Sequence, residues 1–174
     1  MSTSPSKSSR SLRRLCLSAV FAALVFAATA YLPRIQTGNG YVHLGDTLVF
    51  LCGSLLPAPY AMAAAAIGGG LADLLTGYAV WAPASFLIKG ASALCFSARR
   101  QKILCLRNVT AIFPAALLCV GGYYLWAALV ISGNFAAPVA ELLPNLIQSA
   151  VSGLLYVGLA SVFDRVPALR RGLQ

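Results

Sequence analysis

The stretch Tyr41-Val42-His43-Leu44-Gly45-Asp46 carries the only histidine of the chain and one of its four acidic residues, between two strongly apolar runs. A carboxylate or imidazole carried from water to the edge of hydrocarbon must be paired, neutralised or turned towards a wet cavity. Two readings of the stretch follow. It is an interfacial turn with Asp46 as N-cap of the next helix, or it is the rim of a functional site. The sequence on either side decides the fold.

With about 20 apolar residues needed per membrane span, the flanking runs lie near Leu15–Leu32 and Leu44–Leu56. Four more follow near Tyr60–Thr76, Pro83–Ala98, Val109–Ile131 and Pro138–Phe163. The second and fourth are short for a full span, so they require shielding by neighbours or extension into the boundary loops. Pro57-Ala58-Pro59 between the second and third forces an antiparallel hairpin, because proline cannot continue a helix interior. Composition agrees: 59% of the 174 residues are hydrophobic and 10% charged, against roughly 25% charged in a soluble domain. The expected fold is an all-α integral membrane protein, a six-transmembrane-helix bundle.

Charge orients it. Thirteen Lys and Arg against four acids give a net charge of +9. Lys7, Arg10, Arg13 and Arg14 precede the first span, Arg99, Arg100, Lys102 and Arg107 lie between the fourth and fifth, and Arg165, Arg170 and Arg171 follow the sixth. The positive-inside rule then places both termini in the cytoplasm, leaving Arg34 outside and Lys89 inside span four. The expected organisation is a basic cytoplasmic tail (1–14), a single membrane domain (15–164) and a second basic tail (165–174), multi-pass in a bacterial plasma membrane. Met1–Arg14 resembles the n-region of a signal peptide, but the following run is long and others succeed it, so it reads as a tail before a retained span.

Several function classes drop out. The five cysteines are odd in number, widely spaced and without a CxxC pair, so neither a metal site nor a disulfide framework follows. No nucleophile has a base beside it in sequence, and no HExxH or phosphate-cradling motif occurs. No catalytic residue, cofactor or metal is expected. The basic residues flank spans instead of forming a groove interleaved with aromatics, which argues against nucleic acid.

Depth picks out the candidate site. With this topology Asp46 begins helix two and Asp73 ends helix three on the outside, and Glu141 lies about one turn into helix six. Lys89 and Asn145 lie roughly 10 Å below the outer surface and Gln148 one turn deeper. All the intramembrane ionisable groups thus share the outer half. Glu141, Asn145 and Gln148 follow i, i+4, i+7 spacing, with Ser152 continuing the face, and such a stripe must look into the protein or a wet cavity. Pro144 is expected to loosen the first turn. Tyr41, Tyr78 and Trp81 supply aromatic surfaces, either as an interfacial belt or for stacking on a ring. Lys89 either pairs with Asp73 or Glu141 or faces a ligand. His43 reads as a loop or capping residue, no second metal ligand being near. The candidate substrate-binding set is Tyr41, His43, Asp46, Asp73, Tyr78, Trp81, Lys89, Glu141, Asn145 and Gln148.

Two stripes of small residues recur at four-residue spacing: Ala19, Ala23, Ala27 in helix one, and Ala61, Ala65, Gly69 in helix three, with Asp73 next. Each serves packing within the bundle or docking of a separate membrane partner. Gly68-Gly69-Gly70 either bends helix three or lets a ligand approach its backbone.

The order of these pieces, an AxxxA stripe, Gly-Tyr-Val-His-Leu-Gly-Asp, a proline turn, Ala72-Asp73-Leu74-Leu75-Thr76-Gly77-Tyr78, Pro83 and Ile88-Lys89-Gly90, resembles the substrate-binding S components of energy-coupling factor (ECF) vitamin transporters of the riboflavin, hydroxymethylpyrimidine and vitamin B6 type. The resemblance implies capture of a vitamin or heterocyclic precursor from outside. It also implies association with a transmembrane coupling protein and two cytoplasmic ATPases, toppling in the membrane to carry ligand inward, and partner docking through Ala19, Ala23 and Ala27. The loops after helices one and three would cover the pocket. Two rivals stand beside it: a self-sufficient transporter using Asp73, Lys89 or Glu141 as a proton relay, and a non-transporting membrane protein.

Overall fold

The computed structural model describes residues 7–32, 35–36, 41–98 and 102–166. Arg34, Arg99, Arg100, Arg170 and Arg171 of the charge argument lie outside the described residues, as do the side chains of Lys7 and Tyr41. The fold is all-helical apart from one short ribbon. Its helices are α1 (Lys7–Ala30), α2 (Gly45–Leu55), α3 (Ala58–Leu75), α4 (Ala82–Leu94), α5 (Leu106–Ile131) and α6 (Val139–Arg165).

α1, α3, α5 and α6 are long and apolar enough to cross a bilayer, while α2 and α4 are shorter. At 1.5 Å per residue α2 is only about 16 Å long, roughly half a hydrocarbon core. Its surroundings explain how so short a helix is accommodated: every α2 residue except Leu48 is buried, with α1, α3, α4 and α6 packed around it.

Several boundaries differ from the sequence reading, among them the start of α5 at Leu106 instead of Val109. α1 begins at Lys7 instead of Leu15, because nothing between Lys7 and Ala30 is Gly or Pro and the basic stretch supports a helix. α3 begins at Ala58, since Pro59 falls in the first turn, where a missing N–H costs nothing. α4 ends at Leu94, short of Ala98. α5 is interrupted at Ala111, between Leu106–Thr110 and Ile112–Trp126, one turn before Pro114, whose ring crowds the carbonyl of Thr110. It closes in a π turn, Ala127–Ile131, with Ser132 N–H donating to the Ala127 carbonyl at 2.8 Å.

Between α1 and α2, where a loop was expected, Ile35–Gln36 (β1) and Tyr41–Val42 (β2) pair antiparallel, Ile35 opposite Val42 and Gln36 opposite Tyr41. Branched and aromatic residues favour that extended pairing.

The surface is apolar and the interior small. Val20, Leu24, Phe113, Leu117, Leu129, Leu143 and Leu154 are exposed, whereas Ala61, Ala64, Ala65, Ala72, Ala93 and Ala115 are buried. Exposed apolar faces this extensive belong against lipid or another protein. Close helix approach through small residues is how membrane bundles pack. A larger cluster fills the centre: Phe50 stacks on Phe96 at 4.9 Å and both meet Tyr156 edge-on. Ser54 Oγ donates to the Phe50 carbonyl at 2.9 Å, so Tyr156 Oη is the donor in its 2.7 Å contact with Ser54.

The two small-residue stripes part ways. Ala61, Ala65, Gly69 and Asp73 on α3 are buried inside the bundle. Ala19, Ala23 and Ala27 on α1 are exposed, and it is Phe21, Val25 and Ala28 that pack inward. The glycine run lies within the uninterrupted span of α3 and does not face open space. A Cβ on Gly68 would fall 2.5 Å from the Ala22 carbonyl of α1, and one on Gly69 would strike the Lys89 side chain.

The end of the bundle carrying the α4–α5 connection is pinned by two side chains absent from the sequence reading. Asn108, fully buried, accepts from Ser97 N–H at 2.9 Å and donates to the Ser97 and Ile103 carbonyls at 3.1 and 3.0 Å. Asp164, near the end of α6, accepts from Ile103 N–H and Leu104 N–H, each at 2.9 Å.

Candidate functional site

The opposite end carries the polar chemistry. Gly77, at φ +90°, lies just beyond the end of α3, and Tyr78 N–H donates back to the Asp73 carbonyl at 3.0 Å. This is the closing turn that a left-handed glycine permits, and it reverses the chain so that Tyr78 and Trp81 stand beside Asp73. Trp126 Nε1–H donates to the Val80 carbonyl at 3.0 Å, anchoring that turn to α5. Tyr78 Oη donates to Gln36 Oε1 at 2.6 Å, tying it to β1.

Beneath lies a buried ionic group. Lys89 Nζ meets Asp46 Oδ1 at 2.7 Å, both side chains almost wholly buried. Gln148 Nε2 donates to Asp46 Oδ2 at 2.7 Å while its Oε1 accepts from His43 N–H at 3.0 Å. Cys119 Sγ adds a weak contact to Asp46 Oδ2 at 3.7 Å. The Lys89 stem lies across the space that Gly69 leaves open. Two expectations are corrected here. Asp46 does not cap α2, whose N-cap is Leu44 without a side-chain bond; its carboxylate is held by Lys89 and Gln148. Lys89 pairs with neither Asp73 nor Glu141, because its stem, laid along Gly69, directs the ammonium to α2. His43 does take the capping role: its Nδ1 accepts from Gly45 N–H, the first residue of α2, at 3.0 Å.

A second group stands closer to the opening. Ser85 Oγ donates to Asp73 Oδ2, so Tyr123 Oη is the donor in its 2.7 Å contact with Ser85. The Trp81 ring meets Tyr123 edge-on, centroids 5.9 Å apart.

Between these groups lies a cleft of about 460 Å³, part of it open to solvent, lined by Val42, His43, Asp73, Tyr78, Trp81, Ser85, Tyr123, Glu141, Pro144, Asn145 and Gln148. Seven of the ten candidate residues line it: His43, Asp73, Tyr78, Trp81, Glu141, Asn145 and Gln148. Asp46 and Lys89 are locked together outside the lining. Tyr41 lies in β2, its side chain outside the described residues. Asn145 Nδ2 donates to the Glu141 carbonyl at 2.9 Å, next to Pro144, which interrupts the backbone ladder there. Sequence reasoning missed Ser85 and Tyr123. Ser85 precedes Lys89 by four residues and so shares its face, a signal that could have found it. Tyr123 sits in a helix apolar on all sides and gave none.

A family model, the S component of the ECF-type riboflavin transporter, matches residues 9–165. The chain belongs to that family. It is an S component, the substrate-binding subunit of an ECF transporter, and the family is a transporter family, not an enzyme family. Among solved structures, the S component of a bacterial ECF transporter superposes with a TM-score of 0.72 at 14% identity, covering 89% of this chain and 97% of that one. Identity so low speaks to the fold alone. No curated protein matches this S component in sequence.

Proposed function

We propose that this S component captures a vitamin or heterocyclic vitamin precursor in the cleft between Trp81, Tyr123 and Asn145. The ligand enters from the outer face of a bacterial plasma membrane and passes inward with a transmembrane coupling protein and two cytoplasmic ATPases. The observation that carries the reading is the cleft itself: aromatic faces and hydrogen-bonding side chains converge on one concave site, as small-molecule pockets require, in a chain of this family. Riboflavin is the ligand in the family's description, and a flavin is one of the heterocycles such a lining could take.

The topology in this proposal has six spans, with α2 and α4 as short spans sheathed by their neighbours and both termini cytoplasmic. Its support is the position of the cleft, at the end of the bundle away from Lys102, Arg107 and Arg165, as the positive-inside rule requires of an outward opening. The exposed Ala19, Ala23 and Ala27 supply a flat face for the coupling protein, since small residues let a second helix approach closely.

Reconstitution tests the proposal. In proteoliposomes, radiolabelled vitamin should accumulate only when the coupling protein, the ATPases and ATP are all present. Accumulation by the S component alone, abolished by an uncoupler, would instead establish a proton-coupled carrier using Asp73 or Glu141.

A further inference from the structure

One wall of the cleft is governed by a side chain almost wholly hidden from it. A Cβ on Gly122 would fall 2.8 Å from the Ile88 side chain, so α5 lies hard against α4 at the residue before Tyr123. That approach brings the Tyr123 hydroxyl to Ser85, one turn before Ile88 on α4. Ser85 is 1% exposed, and its hydroxyl has one proton to give and two lone pairs to receive with. The proton goes to Asp73 Oδ2 on α3, and a lone pair takes the Tyr123 proton at 2.7 Å. The donors thus all point one way, from α5 through α4 to α3, an alignment in which hydrogen bonds strengthen one another. Because the Tyr123 proton is committed within the wall, Tyr123 meets a ligand as a ring and not as a donor. The same bond fixes that ring against the edge-on Trp81, centroids 5.9 Å apart and planes at 63°, and both rings line the cleft.

We infer that Ser85 is a positioning residue for ligand binding: it holds the Tyr123 ring, and through it the Trp81 ring, in the arrangement a planar heterocycle needs before the ligand arrives. The inference rests on the cleft being the substrate site. Without the Ser85 hydroxyl the buried Tyr123 O–H would lack its acceptor, a costly state, and the ring would turn in search of another, breaking the contact with Trp81. Binding would then have to restore the wall, a loss of affinity that a preformed site avoids.

The test joins binding to spectroscopy, both on the full-length protein in nanodiscs. Riboflavin, hydroxymethylpyrimidine and pyridoxine are titrated calorimetrically, and the tightest binder is carried through Ser85→Ala, Tyr123→Phe and the double variant. Each single variant should bind about tenfold more weakly, the scale of one hydrogen bond. The double variant should bind about as weakly as either single one, since residues acting as a unit are not additive. Tyr123→Phe removes one oxygen from a ring that stays packed, so it carries the test should Ser85→Ala not fold. Fluorotryptophan supplies a readout that a purely structural role would leave unmoved. The chain has two tryptophans, and Trp126→Phe identifies the fluorine line of Trp81 by elimination. That line should be sharp in wild type and broadened or displaced in both single variants before any ligand is added. Losses that multiply to about a hundredfold in the double variant, a loss confined to Tyr123→Phe, or an unmoved Trp81 line overturns the inference. Any of these results in a protein whose wild type binds a probe keeps the substrate site and removes Ser85 from its service. A wild type that binds none of the three probes loses both.

Discussion

Lys89 is one of the most deeply buried side chains described, 1% exposed, and three choices of residue make its position tenable: Gly69 yields room for its stem, Asp46 supplies the counter-charge and Gln148 holds the carboxylate's other oxygen. Removing one member of a buried pair strands the other charge, at a cost of about 3–5 kcal/mol. Lys89→Met should therefore lower the unfolding temperature sharply in nanodiscs. Asp46→Leu combined with Lys89→Met should recover most of the loss, and a double variant as unstable as the single one would refute this account. Gly69→Ala should destabilise by roughly 1–3 kcal/mol through overpacking against the lysine stem, a smaller drop in the same thermal assay. Sequence depth marked Lys89 as a charge that needs a partner but named the wrong ones. Three acidic residues lie at comparable height, and only the missing side chain at Gly69 decides which way the stem runs, a detail of angle that spacing does not carry.

At the scale of elements, the two alanine stripes look alike in sequence and do opposite things. Both satisfy the same four-residue spacing, so periodicity alone could not separate them; what separates them is which face of α1 holds Phe21 and Val25, the bulky residues that claim the interior. A leucine at position 23 should consequently leave the fold and the cleft alone. For Ala23→Leu, ligand affinity should stay within about twofold of wild type while module-driven uptake falls at least about tenfold, because the new side chain blocks close helix approach. Equal losses in both assays would assign the stripe to internal packing. The six helices themselves were legible, since apolar runs of this length leave little choice of structure in lipid. The β1–β2 ribbon was not, being two residues to a strand, too short for any periodic signal.

Across the whole molecule, the gathering of polar groups at one end followed from counting residues along each helix, and the structure brings seven of the ten candidates around one cleft. Ser85 and Tyr123 escaped because their importance lies in a relay from Asp73 through three different elements. The Asn108 and Asp164 clamps escaped for a related reason: each acts on backbone groups of the irregular segment before α5, those of Asp164 lying some sixty residues back along the chain, and nothing in local composition marks a side chain for that work. Those clamps give the molecule a mechanical asymmetry. The irregular segment at Ile103 and Leu104 has both amides bonded to the Asp164 carboxylate, and in hydrogen–deuterium exchange these two amides should be as slow as those in mid-α6, reverting to loop-like rates in Asp164→Ala. At the cleft end Gln148 holds the His43 N–H in the same manner, while the contacts over the opening, Tyr78 with Gln36 and Trp126 with the Val80 carbonyl, are exposed. A load applied by a partner would then be carried through buried bonds from the basic end upward and would be felt first by those exposed contacts, where cargo enters and leaves.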